Sequence, residues 1–285
     1  VIRYGYYPGY PTFVVKKGIK YFELVAEPVQ RELLPDLFIK AWGYNGTTPG
    51  PTILVYPGDY VNFRVYNRLS EPTSVHWHGL DVPNVMDGVL DVEPSPKIDP
   101  GAYFDYHFKI INPPGTHMYH THHNVPRQEM MGLEGGLIIL DPDQRRDNVQ
   151  RDYFIMLQEF AVPALPEFVV QPGVYDIDPY GHGGDFNFFT MNGRSFPFTT
   201  PLEVYYGERV RIRLGNAMEQ VHGIINQSQG PVNFIRRGGH CHATVDKAVL
   251  VGSLAAEQGR NFMTALGGFN GLEVIARQAL VVTGI

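Results

Sequence analysis

Apolar and polar residues alternate at Asp59 to Tyr66 and Tyr103 to Ile111, and short runs rich in apolar and aromatic residues stand at Tyr21 to Ala26 and Leu37 to Tyr44. Shorter apolar runs stand at Thr52 to Val55 and Gly136 to Leu140. A period of two sends successive side chains to opposite faces of an extended backbone, and short runs rich in Val, Ile, Tyr and Phe favour the same backbone, so each stretch predicts a β-strand. Gly and Pro punctuate the runs, which is the pattern of an all-β sandwich or barrel. No segment keeps a helical period over any length. The stretch Asp141 to Asp152 is charged and poor in apolar residues, and it predicts a boundary between a domain over residues 1–145 and another over 146–285.

An internal repeat supports two copies of one fold. Asn45-Gly46, followed by the strand pattern from Gly58-Asp59 to Asn67, is echoed by Asn192-Gly193 and the pattern from Gly207-Glu208 to Asn216, with the same spacing between the glycine and the final asparagine. Each copy has a turn, a Gly with an acidic neighbour and an alternating strand. Two tandem β-sandwiches are the expected architecture.

Composition narrows the partners. Hydrophobic residues make up 44% of the 285 positions, ample for two cores, and the net charge of −6 argues against a nucleic-acid surface. The apolar runs are far shorter than the roughly 20 residues of a membrane helix, so no membrane partner is expected. Small molecules, metal ions and copies of the chain itself remain. The sequence starts at Val1 with no charged and apolar leader, so a signal peptide is read as absent or already removed. The single cysteine, Cys241, excludes an intramolecular disulfide and leaves the redox compartment open.

The candidate chemistry lies in two histidine pairs, His76-Trp77-His78-Gly79 and His120-Thr121-His122. Alternate positions on a strand turn both imidazoles of a pair to one face. Neutral imidazole ligates copper, zinc, iron and nickel, so the pairs point to a metal without choosing it, and a zinc site with three or four ligands is a second reading. His117 and His123 flank the second pair. Met130 and Met131 read as packing residues, His107 as a surface residue on a strand, and His182 as part of a loop.

Taken together, His76-Trp77-His78-Gly79-Leu80, Met86-Asp87-Gly88-Val89, Gly115 to His122 and Met131-Gly132-Leu133-Glu134-Gly135-Gly136 resemble the multicopper oxidases, in particular laccase-like and copper-resistance oxidases. Met191-Asn192-Gly193 through Asn216 also resembles the start of that family's final cupredoxin domain, and the likeness covers roughly residues 30 to 216. It implies two tandem cupredoxin-like Greek-key β-sandwich domains, like the small two-domain laccases, assembled as a homotrimer and placed in the periplasm or secreted. It further implies a type 2/type 3 trinuclear copper cluster between domains, ligated by four His-x-His pairs, and a type 1 blue copper that takes electrons from substrate. His76, His78, His120 and His122 match the first two pairs. Asp87 matches a carboxylate that supplies protons near the cluster, or simply starts the turn with Gly88. The implied activity is one-electron oxidation of phenols or aromatic amines coupled to reduction of O₂ to water. A copper nitrite reductase-like enzyme and a copper-binding cupredoxin without turnover are the alternatives.

Thr121 stands where a first-domain blue copper would need cysteine, so Cys241 is the thiolate left for electron entry. After residue 220 the chain departs from the family pattern. Carrying the repeat spacing from His76 and His78 reaches Ile225 and Gln227, and the third pair is reduced to His222-Gly223. His240-Cys241-His242 reads either as the fourth pair joined to the blue-copper thiolate or as a displaced third pair. Asp246 and Val251 occupy positions where the pattern calls for a histidine and for a Met or Leu.

Overall fold

The computed structural model describes residues 3–4, 13–90, 94–143, 149–165, 170–181, 185–200, 202, 209–217, 222–226, 230–235, 248–250 and 272–275. Strands form at the predicted stretches: Leu37–Tyr44, Gly50–Val55, Tyr60–Asn67, Tyr103–Lys109 and Glu134–Ile139 keep close to the expected limits, whereas the stretch Tyr21 to Ala26 lies inside a much longer strand, Ile19–Leu34. The long strand Ile19–Leu34 joins two partners. Its first half pairs in parallel with Tyr60–Asn67, from Ile19 opposite Tyr60 to Ala26 opposite Asn67. Its second half folds back on Leu37–Tyr44 in antiparallel register. Tyr103–Lys109 and Gly173–Asp176 complete the path of this sheet at its two ends, and Phe13–Lys16 pairs beside Ile19–Leu34.

A second sheet runs in the order Gly50–Val55, Glu134–Ile139, Gly115–His120, His76–His78. The two sheets enclose one core. Val61, Phe63 and Val65 turn into it from the first sheet, while Trp77, Tyr119, Leu137 and Ile139 meet them from the second. This mostly-β arrangement is cupredoxin-like.

The apolar run at residues 137–140 is buried on both faces of its strand, and the reason lies later in the chain. Phe154 and Met156 of the strand Arg151–Phe160 pack with Ala217 against Met118, Ile138 and Leu140. Phe154 lies so close to Gly136 that a side chain there would collide with its ring. Arg151–Phe160 is itself the centre of a third sheet, flanked by Phe188–Met191 and Arg209–Asn216.

The repeated turns are built alike. Asn45 and Asn192 both have φ of 54°, and the glycines that follow have φ of 78° and 73°, a left-handed pair that suits Asn-Gly. In each turn the asparagine amide bridges a neighbouring strand. Asn45 accepts from Val25 N–H and donates to the Glu23 carbonyl, while Asn192 accepts from Met156 N–H and donates to the Phe154 carbonyl. The strands that follow also end alike, since Asn67 and Asn216 lie opposite Ala26 and Leu157, whose carbonyls accept from the N–H of the next residue.

One helix among the described residues was not legible in the pattern: Val125–Met130, six residues long, directly after the second histidine pair. A segment so short has too few internal hydrogen bonds to form alone and is held by its surroundings. No described helix is long and apolar enough to cross a membrane.

Candidate metal centre

The strand His76–His78 has only three residues, and its middle residue anchors it. Trp77 is fully buried, with its ring 4.2 Å from that of Phe63 in a stack and edge-on to Tyr106 and Phe108 at 5.6 Å. Aromatic pairs of this kind contribute about 0.5–1.5 kcal/mol each beyond the area they bury. With Trp77 held in the core, alternation turns His76 and His78 to the other face. Antiparallel pairing then sets His76 opposite His120, Trp77 opposite Tyr119 and His78 opposite Met118.

The four rings of the two pairs form one cluster. His76 lies with ring centroids 5.3 Å from His78, 5.3 Å from His120 and 5.5 Å from His122. His78 Nδ1 is 3.2 Å from His120 Nε2. One nitrogen each from His76, His78 and His120 falls within 4.8 Å of the others, a spacing from which they could hold a metal ion. His122 stands beside this triad. Burial, with His120 and His76 as neighbours, pushes its pKa below the ordinary value of 6.5, which favours the neutral, ligating imidazole.

Outer contacts decide which nitrogen of each ring faces inward. His76 Nδ1 lies 2.8 Å from the Asp87 carbonyl and 3.4 Å from its carboxylate, leaving Nε2 for a metal. The chain reaches this position through Gly88, which has φ of 79°, and a Cβ there would collide with the Val75 carbonyl. Ser74 Oγ donates to the Gly88 carbonyl and Ser95 Oγ accepts from its N–H, so the Asp87-Gly88 turn is tied down on both sides. His120 Nδ1 lies 2.8 Å from the Thr121 carbonyl and 2.6 Å from Glu129 Oε1. Both rings therefore present Nε2 to the cluster, while His78 presents Nδ1. An all-imidazole set with oriented rings fits copper, and the same donors would also accept zinc.

The sequence profile of the multicopper oxidases matches residues 29–144, the stretch that builds this centre. Over those residues the chain is similar to the multicopper oxidases. It is 32% identical over 197 residues to multicopper oxidase MmcO of Mycobacterium tuberculosis, a match covering 61% of this chain and 38% of that protein. The solved multi-copper oxidase from Pseudomonas thermotolerans aligns with a TM-score of 0.64 at 26% identity, covering 92% of this chain and 66% of that one. The Blue Copper Oxidase from Nitrosomonas europaea gives 0.62 at 25% identity, over 93% of this chain and 76% of that one. The chain spans less than half the length of the curated multicopper oxidases and copper resistance proteins it matches first.

Against the family pattern, the structure brings together His76, His78 and His120, sets His122 next to them, and places Asp87 against His76. His117 lies on the opposite face of its strand from His120, close to Gly79, and His107 is exposed. Met130 and Met131 are buried packing residues. The Thr121 hydroxyl, at the position of the missing thiolate, donates to Gln128 Oε1 at 2.6 Å. His222 begins the strand His222–Asn226, whose side chains are not among those described. His240, Cys241 and His242 lie outside the described residues, as does His182. Sequence reasoning missed Glu129, and only its place in the short helix after the second pair could have drawn attention to it.

Proposed function

We propose that this chain is a laccase-like multicopper oxidase that oxidises phenols or aromatic amines one electron at a time and reduces O₂ to water. The observation that carries the reading is the histidine triad, with ligand nitrogens of His76, His78 and His120 within 4.8 Å of one another and the His122 ring alongside. In this reading those four residues are copper ligands of a type 2/type 3 centre. Bound copper ions there would supply closely spaced one-electron centres for O₂. The chain's own residues set the conditions: Trp77 keeps the His76–His78 strand in place, and the Asp87 carbonyl fixes the His76 ring. The Asp87 carboxylate, 3.4 Å from His76 and partly exposed, is the group this reading assigns to proton delivery.

The reading extends to His222, His240 and His242 as further ligands and to Cys241 as the thiolate of a type 1 electron-entry copper. It also includes a second cupredoxin-like domain over residues 146–285, a homotrimer and a periplasmic or secreted location. The matching Asn45-Gly46 and Asn192-Gly193 turns support the second domain. Copper binding without turnover is the second reading, favoured by Asp246 and Val251 at positions where ligands are expected. A copper nitrite reductase needs a first-domain thiolate, and Thr121 is instead committed to Gln128.

The test is copper per chain in a reconstituted sample, with its visible absorption and electron paramagnetic resonance spectra, followed by oxygen uptake with a phenolic substrate. A full copper complement, an intense blue band and phenol-dependent oxygen uptake support the oxidase. Bound copper with neither blue band nor uptake would leave the binding protein, and nitrite-dependent turnover would indicate the reductase.

A further inference from the structure

We propose that Glu129 is a positioning residue that holds the His120 ring in its Nδ1–H form, so that the Nε2 lone pair is turned toward His78 and the metal. This rests on the metal-binding reading of the histidine cluster and deepens it. Glu129 Oε1 lies 2.6 Å from His120 Nδ1, with both side chains almost wholly buried. An ionised carboxylate can only accept hydrogen bonds, so the proton sits on Nδ1 and the lone pair on Nε2. Nε2 is the atom that lies 3.2 Å from His78 Nδ1. His76 Nδ1 is fixed by the Asp87 carbonyl at 2.8 Å, with the Asp87 carboxylate 3.4 Å away.

The helix Val125–Met130 serves to deliver this carboxylate. Gln128, fully buried, uses both ends of its amide: Oε1 accepts from the hydroxyls of Thr73 at 2.9 Å and Thr121 at 2.6 Å, and Nε2 donates to Glu71 Oε1 and the Pro72 carbonyl, each at 2.8 Å. Arg127 adds an ion pair to the other oxygen of Glu71 at 3.2 Å. The residue next to Glu129 is thus clamped to the chain just before the first histidine pair and to the middle of the second. Burying a carboxylate costs desolvation energy that must be recovered from a partner. His120 is one such partner, and the Thr121 carbonyl at 2.8 Å is the competing explanation for the ring's orientation.

The test uses the full chain with ¹⁵N-labelled histidine, free of metal and at a pH where His120 is neutral. Long-range proton–nitrogen correlation spectra read the protonated nitrogen of His120 in the wild type, Glu129→Met and Glu129→Gln, and copper(II) titration follows on the same samples. The wild type is expected in the Nδ1–H form. Glu129→Met, with no acceptor, should show a mixture of both forms and bind copper about 10–100-fold more weakly, while Glu129→Gln, whose amide oxygen still accepts, should recover most of both. A wild-type ring protonated on Nε2 overturns the proposal without need of a variant. So does Glu129→Met with an unchanged ring and unchanged affinity, since the Thr121 carbonyl alone would then suffice. A wild type that binds no copper sinks the metal reading instead and leaves the ring measurement standing.

Discussion

Arg213→Met should be among the most damaging single substitutions outside the histidine cluster. Arg213 lies on the strand Arg209–Asn216 and grips Asp152 in a two-pronged pair, Nε to Oδ1 at 2.8 Å and Nη2 to Oδ2 at 2.9 Å. Its remaining prong donates to Thr116 Oγ1 at 2.9 Å, on the strand that carries His120. Side-chain exposure is 7% for Arg213 and 1% for Asp152, so the pair is shielded from water. Removing the arginine takes away the carboxylate's two-pronged partner and leaves Arg211 as a weaker neighbour at 3.4 Å. Breaking a buried pair this way costs about 3–5 kcal/mol, and Arg211 argues for the lower end. Replacing both members with apolar residues removes the desolvation cost as well, so Arg213→Met with Asp152→Leu should return to within about 1 kcal/mol of the wild type. Denaturant titration of the wild type, both single variants and the double variant gives the cycle directly. The reasoning fails if Arg213→Met costs less than about 1 kcal/mol, the value of an exposed pair, or if the double variant is no more stable than the singles.

Other consequences follow from the centre itself. Trp77→Ala should cost about 3–5 kcal/mol in thermal or denaturant unfolding and abolish copper binding, because the three-residue strand loses its anchor. Gly88→Ala, which drives a Cβ into the Val75 carbonyl, should shift Asp87 away from His76 and weaken copper binding by about 10–100-fold in titration, with the His122 side of the cluster unaffected. The depressed pKa of His122 sets a pH dependence for the metal-free protein. Below about 6.5 the unfolded chain takes up a proton that the folded site still refuses, so stability present at neutral pH is lost as pH falls. Denaturation midpoints at pH values either side of 6.5 should show this slope, and His122→Gln should flatten it.

The sequence by itself determined what depends on neighbours along the chain. Short apolar and aromatic runs and period-two alternation located the main strands, and that period put His76 with His78 and His120 with His122 on shared faces. It marked the Asn-Gly turns, the absence of a thiolate at Thr121, and Asp87 as the acid near the first pair. Tertiary structure decided what depends on register and on distant partners. Pairing of two strands set His76 against His120, and a slip of one residue would have turned one pair into the core. The helix that presents Glu129 is too short to announce itself, and it exists because Gln128 reaches Glu71 and Pro72, more than fifty positions earlier in the chain. Arg213 read only as one charge in an alternating strand until folding brought it to Asp152 and Thr116. Local periodicity is carried by adjacent side chains and can be read from them, whereas a hydrogen bond across such separations is defined only once the core has brought its two ends together.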